Sequence, residues 1–159
     1  MPYKFERLEV WNHSLEYIDS IYSLAEKMPG SEEYNLKSQI IRAATSISFN
    51  IAEGSTGQSD AEQARFLGMA IRSLIETVAC QHIIRRRGYV QDENLLKKVC
   101  EDSQMLAKKL QAFRKSLSDP QHRVREEIPA YGEDELIWAI CVVRRPSSVV
   151  GRLMAESNE

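Results

Sequence analysis

From its start to about residue 118 the chain repeats its apolar residues with helical spacing, and no alternating apolar–polar run of the kind that builds a half-buried strand interrupts it. A sheet is thereby excluded over three-quarters of the sequence. The core must come from helices packed on helices.

Local stop and start signals cut this stretch into four segments of roughly 20 to 28 residues. Helix 1 is expected from about Phe5 to Met28, where Pro29-Gly30 ends it. Ser31, Glu32 and Glu33 read as a fresh start, and Asn35 as a break in that turn, because asparagine tolerates left-handed geometry. Helix 2 is expected over about Leu36 to Glu53, followed by a Gly54-Ser55-Thr56-Gly57 loop. Ser59 with Glu62 forms a capping box for helix 3, about Asp60 to Arg87, and Gly88 is placed to end it. Asp92 caps helix 4, which ends near Leu117. Short loops between long helices imply antiparallel neighbours. The expected fold class is all-α: an antiparallel up-down-up-down four-helix bundle over residues 1–118.

Composition changes at that boundary. To Ser118 there are 16 Lys and Arg against 15 Asp and Glu, a balance of +1; from Asp119 onward there are 5 against 8, a balance of −3. Three of the five prolines, Pro120, Pro129 and Pro146, fall in this second part. Residues 119–159 therefore form an acidic, Pro-containing C-terminal tail. Within it Leu136 to Val143 is an apolar octet that fits either a strand or a buried helical turn, and Ser147 to Glu156 fits a short helix. The net charge of −2 excludes a polycation, so any nucleic-acid contact must come from a local patch. No apolar run has the length of a membrane span, and the first residues match neither a signal peptide nor a lipidation site. Cys80, Cys100 and Cys141 fit no metal or redox spacing, which points to a reducing cytoplasm.

The helix faces suggest surfaces. Helix 1 is apolar over an arc of roughly 200°, wider than a monomeric bundle needs. The excess is expected to face another subunit, with Trp11, Tyr17, Ile21 and Leu24 as the oligomer interface, or else to lie under the tail. Helix 2 carries a polar line, Gln39, Arg42, Ser46, Asn50 and Glu53, opposite a core face built on Leu36, Ile40, Ala43, Ala44, Ile47 and Ile51. One cation, one anion and three neutral hydrogen-bonding groups can satisfy each other inside an interface or lumen; the alternative is a solvated face. Arg42 is expected to bond a carboxylate, with Glu76 on helix 3 favoured over Glu53. Arg85, Arg86 and Arg87 end helix 3, and Lys97, Lys98, Lys108 and Lys115 lie on helix 4. Taken singly, these favour a helix C-terminus or coat a solvated face. Together they form a candidate phosphate-binding surface.

Catalytic patterns are missing. None of His13, His82 and His122 has a glutamate three residues before it, so no di-iron pair forms. Cys80 and His82 are two apart on a helix and point away from each other. There is no Walker-type loop and no GxGxxG. The expectation is no enzyme, no cofactor and no metal.

Read in order, Phe5, Leu8, Val10 and Trp11, then Ile21-Tyr22 and Met28-Pro29, then Glu33-Tyr34-Asn35-Leu36, Gln39, Arg42-Ala43-Ala44, Ser46-Ile47 and Asn50-Ile51-Ala52-Glu53-Gly54 form a recognisable series. Phe66-Leu67, Ala70, Ser73-Leu74, Glu76 and Gly88-Tyr89 continue it. This series resembles the small bacterial four-helix-bundle proteins first noticed in intervening sequences of large-subunit ribosomal RNA genes. Asn35 stands where that family usually has glycine, and Arg72 where it usually has a small residue. The resemblance implies a homopentameric barrel. It also implies kinship with the accessory variability proteins of diversity-generating retroelements, which bind nucleic acid and a partner reverse transcriptase.

Two functional readings follow. The first is a non-enzymatic, homo-oligomeric module that binds RNA or DNA, as an accessory scaffold to a reverse transcriptase. The second is a purely structural or protein-interaction oligomer with no nucleic-acid role. Free basic groups on the outer surface favour the first; basic groups held in ion pairs within the protomer favour the second.

Overall fold

The computed structural model describes residues 3–57 and 59–117. Four α-helices dominate them: α1 Glu9–Glu26, α2 Ser38–Ser55, α3 Asp60–Arg87 and α4 Glu93–Leu117. Each packs on its neighbours in chain order, and α4 closes back onto α1. That is the expected up-down-up-down bundle. The apolar octet and the tail helix expected after Ser118 lie outside the described residues.

Local chemistry sets most of the boundaries. The Glu62 amide donates to Ser59 Oγ at 3.2 Å at the start of α3. At its end Gly88 adopts φ 64°, with its N–H on the Arg85 carbonyl (3.1 Å) and the Tyr89 N–H on the Ile84 carbonyl (3.2 Å). These paired bonds satisfy carbonyls that the helix end would otherwise leave open, and they need a residue free of Cβ strain. The Leu95 amide donates to Asp92 Oδ1 at 3.0 Å and starts α4.

Three expected boundaries are corrected. Helix 1 begins at Glu9 rather than Phe5, because Leu8 is extended (φ −79°, ψ 119°) and separates a 3-10 turn at Lys4–Arg7 from the helix. Leu36 belongs to a π turn, Glu33–Lys37, that leads into α2. Asn35 within it is not left-handed (φ −117°, ψ −107°); its amide instead donates to Glu32 Oε2 at 2.9 Å. Helix 2 also runs on through Gly54 and Ser55. Gly54 is needed there for proximity: a Cβ on it would stand 2.7 Å from the Phe66 Cβ on α3.

The core holds Ile21, Leu24, Ile40, Ile47, Ile51, Leu67, Leu74, Leu106 and Leu110, all nearly inaccessible. One polar chain crosses it. Gln81 Nε2 donates to Tyr17 Oη (2.8 Å), and Tyr17 Oη lies 2.6 Å from Thr77 Oγ1. Thr77 spends its only hydroxyl hydrogen on the Leu74 carbonyl (2.7 Å), so Tyr17 must be the donor to Thr77. Burial pushes the Tyr17 phenol well above its ordinary range.

Candidate interaction surfaces

Tyr17, Ile21 and Leu24, expected at an oligomer interface, lie instead in the protomer core, at 1%, 0% and 0% exposure. They stand on the inward side of α1, from which Tyr17 reaches Thr77 and Gln81 of α3. The apolar residues of α1 that do reach the surface are Trp11, Leu15, Ile18 and Tyr22, at spacings of four, three and four. This i, i+4, i+7, i+11 pattern runs along one edge of the helix. The opposite edge belongs to α4: Lys109 Nζ meets Glu9 Oε1 at 2.6 Å, and Ser20 Oγ donates to Asp102 Oδ2 at 2.7 Å. The strip therefore borders α2.

On α2 the matching edge is Ile41 and Thr45, since the other edge is held by α3. Phe49 stands half a turn from the core face and is 64% exposed. Leu15 and Tyr22 are 37% and 45% exposed; Trp11, Ile18 and Ile41 are half-buried and pack on the core from outside. Antiparallel order puts Trp11 level with Phe49, and Tyr22 level with Ile41. Phe5 extends the surface with an edge-on contact to Trp11 (4.9 Å), and Tyr3 stacks on Phe5 (5.7 Å).

The polar line of α2 makes a ladder with α3. Ser73 Oγ donates to Ser46 Oγ (3.0 Å), and Asn50 Nδ2 donates to the Ser46 carbonyl (2.7 Å) and hydroxyl (3.1 Å). The expected direct Arg42–Glu76 bond is replaced by a relay: Arg42 donates to the Gln39 amide oxygen, and the Gln39 amide nitrogen donates to Glu76. Gln39 is half-buried at the α3 edge of α2 whereas Arg42 is exposed, so Gln39 is interposed. In the protomer Gln39, Ser46 and Asn50 are half-buried, whereas Arg42, Glu53 and Glu76 are exposed.

The basic residues do not form one free patch. Arg85 pairs with Glu93 (2.8 Å). Arg87 donates to the Tyr89 hydroxyl (3.2 Å) and stands 5.6 Å from the centre of its ring, while Tyr89 donates to Glu32 (2.9 Å). That hydroxyl, with the Asn35 amide and the Leu36 N–H, holds the Glu32 carboxyl below its usual range. Lys97 lies 3.8 Å from Glu101, and Lys98 is 2.9 Å from Asp102. Arg86, Lys108 and Lys115 are exposed and have no ion-pair partner among the described residues.

Cys80 and Cys100 are free thiols, and burial pushes the Cys80 thiol up to about 11. Among the described residues, no three His, Cys, Asp or Glu side chains stand close enough to hold a metal ion. No helix among them is long and apolar enough to cross a membrane.

Residues 6–112 match the family model of the 23S rRNA-intervening sequence proteins. A protein of unknown function from the S23 ribosomal protein family of Bacteroides thetaiotaomicron VPI-5482 has a similar crystal structure, with 28% sequence identity and a TM-score of 0.61. The similarity covers 67% of this chain and 95% of that one. No curated protein matches.

Proposed function

The chain belongs to the 23S rRNA-intervening sequence protein family, and from that premise we propose a non-catalytic helical module that acts by assembling with copies of itself through the apolar α1–α2 face. The carrying observation is that Leu15, Tyr22 and Phe49, three large apolar side chains on the neighbouring helices α1 and α2, are exposed. Exposed apolar side chains scattered singly need no explanation; a row of them across two helices marks an association surface. The family resemblance implies five copies in a closed ring, which gives each interface the same two patches. The cytoplasm is the proposed setting, where Cys80 and Cys100 stay reduced.

Size exclusion with light scattering tests this. The wild type is expected above the 18.2 kDa protomer mass, and Leu15→Glu/Phe49→Glu is expected to lower it. A wild-type monomer at micromolar concentration, or an unchanged mass in the variant, overturns the reading.

Nucleic-acid binding is the second reading, with a reverse transcriptase as the protein partner that the resemblance implies. It is favoured by Arg86, Lys108 and Lys115, the exposed cations without an ion-pair partner among the described residues. Arg85, Arg87, Lys97 and Lys98 support it less, because binding would cost each its present bond. Fluorescence polarisation with a labelled oligonucleotide at about 50 and 200 mM salt tests it. Arg86→Glu/Lys108→Glu/Lys115→Glu is expected to abolish binding; equal binding by that variant refutes the assignment.

A further inference from the structure

We propose that the octet Leu136–Val143 of this same chain occupies the apolar α1–α2 face in cis and so competes with self-assembly. The consequence for assembly rests on the proposed function; the docking itself does not. Three observations carry it: where the tail leaves the bundle, how far it reaches, and how its charges match the face.

Lys109 on α4 pairs with Glu9 at the start of α1. α4 runs eight residues further to Leu117, about 12 Å at helical rise. The tail thus leaves at the end of the bundle that also carries Trp11, Phe49 and the aromatic pair Tyr3–Phe5. Residues 118–135 link Leu117 to the octet. A chain of that length can extend to about 60 Å at most, against about 8–10 Å between neighbouring helix axes. The face lies within reach, and tethering gives the octet an effective concentration on the order of millimolar. A second copy at micromolar concentration must overcome that advantage.

The charges agree with one direction of docking. Glu133-Asp134-Glu135 precedes the octet and Arg144-Arg145 follows it. At the tail-exit end the 3-10 turn exposes Lys4 and Arg7. Farther along, α1 has no lysine or arginine, and Asp19 and Glu26 flank the apolar strip near Tyr22. With Leu136 beside Trp11 and Val143 toward Tyr22, the acidic flank comes to Lys4 and Arg7, between which Glu6 also stands, and the Arg144-Arg145 flank comes to Asp19 and Glu26. The face lies beside that exit, and the octet has eight consecutive apolar residues to cover.

The chain has two tryptophans, Trp11 and Trp138. Full-length Trp11→Phe therefore leaves Trp138 as the sole indole reporter, inside the octet. The expected result is an emission blue-shifted from that of the same protein in urea, slow acrylamide quenching, and a blue shift that persists on dilution to nanomolar concentration. Adding Leu15→Glu and Phe49→Glu is expected to return the emission toward the urea value with unchanged far-ultraviolet circular dichroism, because both side chains are exposed. Emission equal to the urea value at every concentration overturns the proposal. So does a blue shift that appears only with assembly, which assigns the face to a second copy, or one that survives both face substitutions. Competition has its own readout: Trp138→Glu/Ile140→Glu in the full chain is expected to raise the assembled fraction at fixed concentration. An unchanged fraction removes the competition. An assembly indifferent to Leu15→Glu/Phe49→Glu instead removes the proposed assembly surface and leaves the fluorescence test standing.

Discussion

Replacing Tyr17 by phenylalanine deletes the middle oxygen of the buried Gln81–Tyr17–Thr77 hydrogen-bonded chain. Gln81, Tyr17 and Thr77 are 5%, 1% and 0% exposed. Without the hydroxyl, the Gln81 Nε2–H loses its acceptor and the Thr77 oxygen loses a donor; Thr77 keeps its bond to the Leu74 carbonyl. Two hydrogen bonds are lost, each worth about 1 kcal/mol net, and a buried amide hydrogen is stranded at about 1–3 kcal/mol. These overlap, so the expected cost is about 2–4 kcal/mol. The same logic expects rescue. Tyr17→Phe/Gln81→Leu removes the stranded donor together with its acceptor, and mutual removal approaches neutrality when shape is kept. A double-mutant cycle should therefore show a coupling of at least about 1 kcal/mol. Urea unfolding at fixed protein concentration, with an unchanged slope, measures each corner. A Tyr17→Phe cost below about 0.5 kcal/mol, or no rescue, would mean that water reaches the amide and the closed chain is the wrong description.

The raised Tyr17 pKa carries a pH signature. Its folded value lies above the unfolded value near 10, so its contribution is complete below pH 10 and is lost as pH rises further. Wild type should lose stability above pH 10 with an added slope of up to about 1.4 kcal/mol per pH unit relative to Tyr17→Phe; Cys80, raised from 9.0 to about 11, steepens both proteins alike. Gly54→Ala should destabilise by about 1–3 kcal/mol, because the 2.7 Å contact with Phe66 outweighs the usual helical gain of alanine over glycine, and a stabilised thermal melt would refute that close approach. Ser59→Ala should cost about 1 kcal/mol in urea unfolding through the lost α3 cap, whereas Ser59→Asp should not. Arg42→Ala should cost less than about 0.5 kcal/mol in the protomer, because its exposed guanidinium reaches Glu76 only through Gln39; a loss several times larger would place the polar line inside an interface.

What could be read from the residues depended on whether the deciding contact was local. The bounds of α3 were legible because Ser59 and Gly88 act within one helical turn of the residues they cap. Gly54 was read as a loop residue because its reason, room for Phe66, lies on another helix. The basic residues were legible as charges and not as a surface: Arg85 is eight residues from Glu93, and Tyr89 is 57 from Glu32, pairings that only the folded bundle makes. Helix 1 shows the limit most clearly. Periodicity locates the middle of an apolar arc, but the neighbours decide how much of each flank they cover. Tyr17, Ile21 and Leu24 lie in the middle of that arc, where four packed helices leave no opening. Trp11, Leu15, Ile18 and Tyr22 lie at its edge, where α2 covers only part of the width. An arc of roughly 200° was wider than one neighbour covers, and α2 leaves Leu15 and Tyr22 of that arc, with its own Phe49, open; that exposed strip is what the proposed self-assembly would cover.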